Sequence, residues 1–151
     1  MTVTQELFRY AWSRFATGVA VITTTEENGV IHGMTANAIC SVSFNPPHDP
    51  PLCDASAEHL PVHQTPGCSG VNVLSDVQEE VARYSAHDTS NQEGPPTISF
   101  HVSSSGSASL DGALIFFDCR AVEEHLAGDH TIFLAEVDHI ETNQGYPLLF
   151  F

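Results

Sequence analysis

Apolar residues first recur at helical spacing near the start of the chain. Leu7, Phe8, Ala11, Trp12 and Phe15 form one stripe, Arg9 and Arg14 fall away from it, and Thr4 offers an N-cap, so a helix is expected over 4–15. Gly18 ends it. The β-branched run Val19-Ala-Val-Ile-Thr-Thr-Thr then predicts a strand, and Asn28-Gly29 predicts a type I′ hairpin turn into a return strand from Val30 towards Thr35. A further strand is expected around Ala38–Val42, closed by Phe44-Asn-Pro-Pro. Pro46, Pro47, Pro50 and Pro51 argue against a central strand and for an extended loop in which only Leu52–Asp54 can pair. Ser56–Leu60 reads as a short helix, Thr65-Pro-Gly as a turn and Gly70–Leu74 as a strand. Ser75-Asp-Val-Gln is a capping-box pattern that opens a helix to about Ala86, with Val77, Val81, Ala82 and Tyr84 on its apolar side.

The second half of the chain is built of strands. His87–Pro96 is a polar loop, Thr97–Val102 a short strand, and Ser103-Ser-Ser-Gly-Ser-Ala-Ser a loop expected to be flexible or to act as a lid. Ala113–His125 and His130–Thr142 are long alternating strands joined through Gly128-Asp-His, and Pro147–Phe151 follows a Gln144-Gly turn. Many strands joined by hairpins, with few helices, predict a mostly antiparallel β-barrel.

At 151 residues the chain is of single-domain size, and its 42% hydrophobic and 15% charged content is that of a globular protein. The charge balance narrows the choice of partner. Four arginines (Arg9, Arg14, Arg83, Arg120) and no lysine stand against 19 acidic residues, a formal net charge of −15. Nucleic acid and anionic membrane surfaces are therefore not expected as partners, because both are bound through cations. No apolar run approaches the ~20 residues of a spanning helix, and the first residues lack a secretory pattern. A cytoplasmic protein is the expectation.

Two stretches invite chemistry. Cys53, His59, His63 and Cys68 fall within sixteen residues, but structural zinc sites pair their cysteines more closely, so no metal is expected. The run from His32 to Pro47 is rich in Ser, Thr and Asn, while Gly33, Ala36 and Ala38 leave room for a flat ligand against the backbone. From the residues alone, a buried strand with a polar edge explains that run equally well.

The order of several short motifs decides between these. Phe15-Ala-Thr-Gly-Val-Ala-Val-Ile-Thr-Thr, Gly33-Met-Thr-Ala-Asn-Ala, Ser41-Val-Ser-Phe-Asn-Pro-Pro, Gly70-Val-Asn-Val-Leu, Leu110-Asp-Gly-Ala, Gly128-Asp-His and Pro147-Leu-Leu-Phe-Phe, taken in sequence, resemble the flavin reductase-like family over nearly the whole chain. That resemblance implies one domain over residues 1–151 with the FMN-binding split-barrel fold, antiparallel and Greek-key-like. It implies a homodimer with flavin sites near the subunit interface, and reduction of FMN or FAD by NAD(P)H for a partner oxygenase. Carried over residue by residue, Thr35, Ala36 and Asn37 line the isoalloxazine ring, and Ser41 and Val42 add backbone contacts. Asp54, Ala55 and Ser56 form the turn near the ribityl chain and phosphate, Arg83 and Tyr84 approach the same phosphate, and His130 orients the incoming nicotinamide.

The chain also departs from the family pattern. His48-Asp-Pro-Pro-Leu-Cys-Asp replaces an apolar strand, Ala55 a basic residue and Ser85 an aromatic. Thr65-Pro-Gly-Cys-Ser-Gly lacks a cation and an aromatic, and a further basic, aromatic strand is expected after Phe151. These changes thin the positive charge at the phosphate end. They motivate a second reading, a repurposed split barrel with weakened or lost flavin binding that holds another small ligand or acts non-catalytically.

Overall fold

A computed structural model describes residues 2–26, 28–44, 47–53, 68–87, 98–128 and 130–151. The fold is mostly antiparallel β. The first helix, α1 (Gln5–Trp12), starts at Thr4, whose hydroxyl accepts the Leu7 N–H at 3.2 Å. It leads through β1 (Thr17–Gly18) into β2 (Ala20–Thr25) and β3 (Ile31–Ala36). Next come β4 (Ser43–Phe44), β5 (Pro47–Cys53), β6 (Cys68–Val73) and helix α2 (Glu79–Ser85). The chain closes with β7 (Phe100–Val102), β8 (Ala108–Leu110), β9 (Ile115–Ala127), β10 (His130–Thr142) and β11 (Leu149–Phe150). Seven strands make one antiparallel sheet in the order β3-β2-β6-β9-β10-β5-β4, flanked by the two-stranded ribbons β1-β11 and β7-β8. Among the described residues this sheet does not close on itself.

β2 is buried almost throughout because both faces of the sheet are covered there. Val19 and Val21 join a core with Leu74, Ala82, Leu110 and Ala113, on the side of α2 and β8. Ala20 and Ile22 join the opposite core with Ala36, Val71, Cys119 and Ala135. The two sets alternate along one strand, as the two-residue period of a β-strand requires.

A buried polar network fastens the β7–β8 ribbon to the sheet. The Thr23 hydroxyl donates to the Ala108 carbonyl at 2.6 Å, and Asn72, fully buried, donates to the carbonyls of Val21 and Ala108 at 3.2 Å each while accepting the Leu110 N–H at 2.8 Å. The Ser105 hydroxyl lies 2.7 Å from both oxygens of the buried Asp118 carboxylate. The serine-rich stretch is therefore a tight turn held by a buried acceptor, with Ser107, Ala108 and Ser109 inside the protein, in place of the expected mobile loop.

Four other expectations are corrected. The turn after β2 has positive φ only at Gly29 (85°) and none at Asn28, so it is not type I′. It closes through Gly29 N–H donating to the Glu26 carbonyl at 2.8 Å. Residues 38–42 form no strand; the pairing segment is Ser43–Phe44. The proline segment does form a strand. Cys53 and Leu52 pair with Ile132 and Phe133, and Asp49 and His48 pair with Ala135 and Glu136, with an irregularity between the two sets. Pro50 and Pro51 fall in that gap, where the ladder asks for no N–H.

Finally, Ser75-Asp-Val-Gln does not begin the helix. The Ser75 N–H and hydroxyl both donate to Gln78 Oε1, at 3.0 and 3.1 Å, forming a turn that leaves Gln78 as the residue before α2. Val77 is 85% exposed rather than on the buried face. The expected helix at Ser56–Leu60, the Thr65-Pro-Gly turn and most of the His87–Pro96 loop lie outside the described residues.

Candidate functional site

Thr35 and Ala36 end β3, next to β2, through pairing of Thr35 with Val21 and Ala36 with Ala20. Ala36 is buried in the second core, so its contribution to any ligand is a flat, methyl-only wall. The Thr35 hydroxyl donates to the Ala82 carbonyl of α2 at 2.6 Å. Past Ala36 the chain leaves the sheet. Asn37 is exposed, its amide NH₂ donating to the Thr17 hydroxyl at 3.3 Å, which sets its Oδ1 as the end left to accept. Ser41 and Val42 are exposed too, in a segment belonging to no strand, so its backbone donors and acceptors are not consumed by a ladder. Small side chains, an oriented amide and unladdered backbone suit the polar edge of a planar ring.

Helix α2 lies against the other face of β3, the face that carries Gly33 and Thr35. A Cβ on Gly33 would stand 3.3 Å from Val21 Cγ1 and 3.5 Å from Ser85 Oγ, so the last turn of the helix rests directly on β3. Arg83 sits there with its Nε and Nη2 donating to Glu79 Oε1 at 2.9 and 2.6 Å, in an exposed pair one turn apart. Tyr84 is half-buried beside it. Arg83 and Tyr84 thus follow directly on Ala82, the residue that Thr35 holds.

His130 lies elsewhere. It opens β10 opposite Ala127, and two residues on Ile132 pairs with Cys53 at the end of β5. Reading across the sheet from Thr35 gives Val21, Asn72, Phe116 and then Glu141. Glu141 and His130 are eleven residues apart on β10, ~36 Å of strand at 3.3 Å per residue. Along the strand, His130 is therefore at the far end of β10 from the residue that lies across the sheet from Thr35. Asp54, Ala55 and Ser56 lie outside the described residues, as do His59 and His63 of the zinc candidate. Among the described residues no group of three or more His, Cys, Asp or Glu side chains is set to hold a metal ion.

Charge is scarce in a form that anions can use. Arg120 donates to Glu136 at 2.6 Å and lies 3.4 Å from Asp138, and these carboxylates, Glu136 first, raise its pKa. Arg14 stacks over the Tyr10 ring at 4.9 Å. His101 lies 3.4 Å from Asp111 and 3.2 Å from Glu141. Desolvation alone would lower its pKa, and hydrogen bonds to the two carboxylates raise it. Arg83, exposed and paired with Glu79 one turn away in a contact worth about 0.3–0.5 kcal/mol, follows directly on the residue that Thr35 holds.

The Flavin reductase like domain matches residues 12–151. The chain belongs to the flavin reductase-like family. An NADH-dependent flavin reductase from a Rhodococcus species is 36% identical over 151 residues, covering 99% of this chain and 84% of the relative. Among solved structures, the flavin reductase PheA2 in its native state superposes with a TM-score of 0.87 at 38% identity, covering 99% of this chain and 94% of that one. The styrene monooxygenase flavin reductase from Pseudomonas putida S12 gives 0.85 at 34% identity, covering 95% and 91%. The mostly β, antiparallel fold expected from the sequence is thus the fold of flavin reductases. Sequence reasoning missed the hydroxyl partner of Asn37. Thr17 stands twenty residues away, and only the register of the β1–β2–β3 region brings it close.

Proposed function

We propose that this protein is an NADH-dependent flavin reductase, one domain that takes FMN or FAD as a loosely held substrate and supplies reduced flavin to a partner oxygenase. The observation that carries the reading is the end of β3, where Ala36 gives a methyl-only surface and Asn37 an oriented, exposed amide, with the last turn of α2 held to the Thr35 face behind it, in a chain that matches the family from residue 12 onward. Bound flavin supplies the acceptor for a hydride from the nicotinamide; the chain's own residues position the two rings and exclude water between them. Asn37 reads the polar edge of the isoalloxazine, Ser41 and Val42 offer backbone contacts, and Arg83 and Tyr84 face the phosphate. Asp54, Ala55 and Ser56 complete the phosphate side, and His130 orients NADH. The relatives are named for NADH, which favours it over NADPH. The styrene monooxygenase reductase supports an oxygenase as the recipient.

A homodimer completes this reading. His130 opens β10 while Thr35 and Ala36 end β3, and in a dimer a second copy would bring its own His130 toward that wall. No residue of α1 is buried; Phe8 (55% exposed) and Trp12 (57%) meet edge-to-face, as do Trp12 and Phe15 (61%) just past the helix, and the exposed Phe150 of β11 pairs with Thr17. Apolar aromatic surface of this kind is what subunit contacts cover. Among the described residues no helix is long and apolar enough to cross a membrane.

Replacing Asn37 by leucine is expected to weaken FMN binding about tenfold, from loss of roughly 1.4 kcal/mol of hydrogen bonding to the ring. Quenching of flavin fluorescence measures this, and an unchanged Kd would show that the ring lies elsewhere.

A further inference from the structure

Thr35 is, by resemblance, a residue of the ring wall, yet its hydroxyl is already engaged. It donates to the Ala82 carbonyl at 2.6 Å, and that same carbonyl accepts the Ala86 N–H at 3.1 Å inside the helix. Two residues earlier on the same face of β3, a Cβ at Gly33 would stand 3.5 Å from Ser85 Oγ, in ordinary contact. The last turn of α2 therefore meets β3 at two adjacent positions, and Thr35 makes the directional contact. The other end of the helix is tied separately. Gln78 accepts from the Ser75 N–H at 3.0 Å and donates to the Asp111 carbonyl at 3.1 Å. Arg83 follows Ala82 directly, so the hydrogen bond from Thr35 fixes the peptide unit from which Arg83 extends.

We propose that Thr35 is a positioning residue: by tying the Ala82 carbonyl to β3, it sets the distance between the ring wall and the Arg83 guanidinium that meets the flavin phosphate. This rests on the reading of Arg83 given above. It assigns the Thr35 hydroxyl to the helix and leaves ring recognition to Asn37 and the backbone beyond it. Thr35→Val keeps the shape and volume of the side chain. The Ala82 carbonyl keeps its helical donor, so the substitution leaves the fold intact while freeing the last turn of α2.

The test compares FMN with riboflavin, which shares the ring and lacks the phosphate. Dissociation constants are read from flavin fluorescence quenching for wild type, Thr35→Val, Thr35→Ser, Arg83→Gln and the Thr35→Val/Arg83→Gln double variant. Thr35→Val is expected to raise the Kd for FMN about fivefold, the loss of part of one charge-assisted contact, and to move that for riboflavin less than about twofold. Thr35→Ser retains the donor and restores wild-type binding. The double variant binds FMN no more weakly than Arg83→Gln alone, since both changes remove one interaction. Equal loss for FMN and riboflavin in Thr35→Val would make Thr35 a ring contact and overturn the proposal, as would no loss for either. An Arg83→Gln variant with unchanged FMN affinity would instead remove the phosphate contact itself, and the proposal with it.

Discussion

Gly70→Ala is expected to destabilise the protein by about 3 kcal/mol, a fall in Tm of roughly 6–12 °C for a chain of this size. Gly70 lies mid-sheet on β6, paired with Thr23 on one side and Asp118 on the other. Its φ is not in the left-handed region, so the demand for glycine is one of space alone. A Cβ there would collide with the Thr23 hydroxyl, and would stand 2.7 Å from the Ala108 carbonyl oxygen and 2.8 Å from Phe116 Cε2. None of the three can give way cheaply. The Thr23 hydroxyl is bound to the Ala108 carbonyl, that carbonyl also accepts from Asn72, and Phe116 is 2% exposed. Relief would separate β8 from the sheet and strip partners from Thr23 and Asn72, each a buried polar group that is costly to leave unsatisfied. Gly18→Ala is the control: nothing lies within 4 Å of a Cβ at Gly18, and its φ is not positive. Thermal melts should show Gly18→Ala within about 2 °C of wild type. Equal shifts for both variants would mean that β8 does not approach the sheet as closely as described.

His130→Ala is expected to lower kcat/KM for NADH by about 10- to 100-fold, or roughly 1.4–2.7 kcal/mol of transition-state stabilisation, while leaving the Kd for FMN within a factor of about two. The split follows from the role proposed for His130. His130 begins β10, while Thr35 and Ala36 end β3, and the role proposed for it is toward the nicotinamide rather than the flavin. Hydride transfer needs donor and acceptor held close and aligned, and an imidazole that orients the nicotinamide acts on that alignment rather than on flavin affinity. Steady-state kinetics with NADH varied, alongside flavin titrations, separates the two. If the variant loses flavin affinity and keeps its kcat/KM for NADH, His130 belongs to the flavin wall.

The long strands were legible because their physics is local. β2, β9 and β10 announce themselves through β-branched runs and two-residue alternation, and β10 spans His130–Thr142 as expected. The misreadings arose where a distant residue overrides local preference. Four prolines argue against a strand, yet two of them fall where the β5–β10 ladder skips a pair, a gap set by β10 and invisible in β5 itself. Serine-rich composition suggests mobility. Asp118, thirteen residues beyond Ser105, supplies the buried acceptor that fixes the turn. Gln78 takes the Ser75 donors but turns its amide to Asp111, so the capping pattern forms a turn one step ahead of the helix.

The site divides in the same way. That Thr35, Ala36 and Asn37 were singled out, and Arg83 and Tyr84 with them, was carried by motif order. That the Thr35 hydroxyl faces the helix, forty-seven residues on in the chain, and that His130 stands at the other end of its strand, follow only from register. The scarcity of cations was visible in the composition, and the structure sharpens it: Arg120 is tied between Glu136 and Asp138, and Arg83 is paired only with Glu79 on its own helix. A weakly gripped phosphate suits a reductase that must release its product flavin.

The most direct test is oxidation of NADH by the purified protein, followed at the nicotinamide absorbance under anaerobic conditions with FMN or FAD added in turn. The account predicts NADH consumption that requires added flavin, reduces it one for one, and saturates with flavin concentration. No flavin-dependent consumption at any flavin concentration, from protein that melts cooperatively, would contradict it and leave the split barrel without the activity of its family.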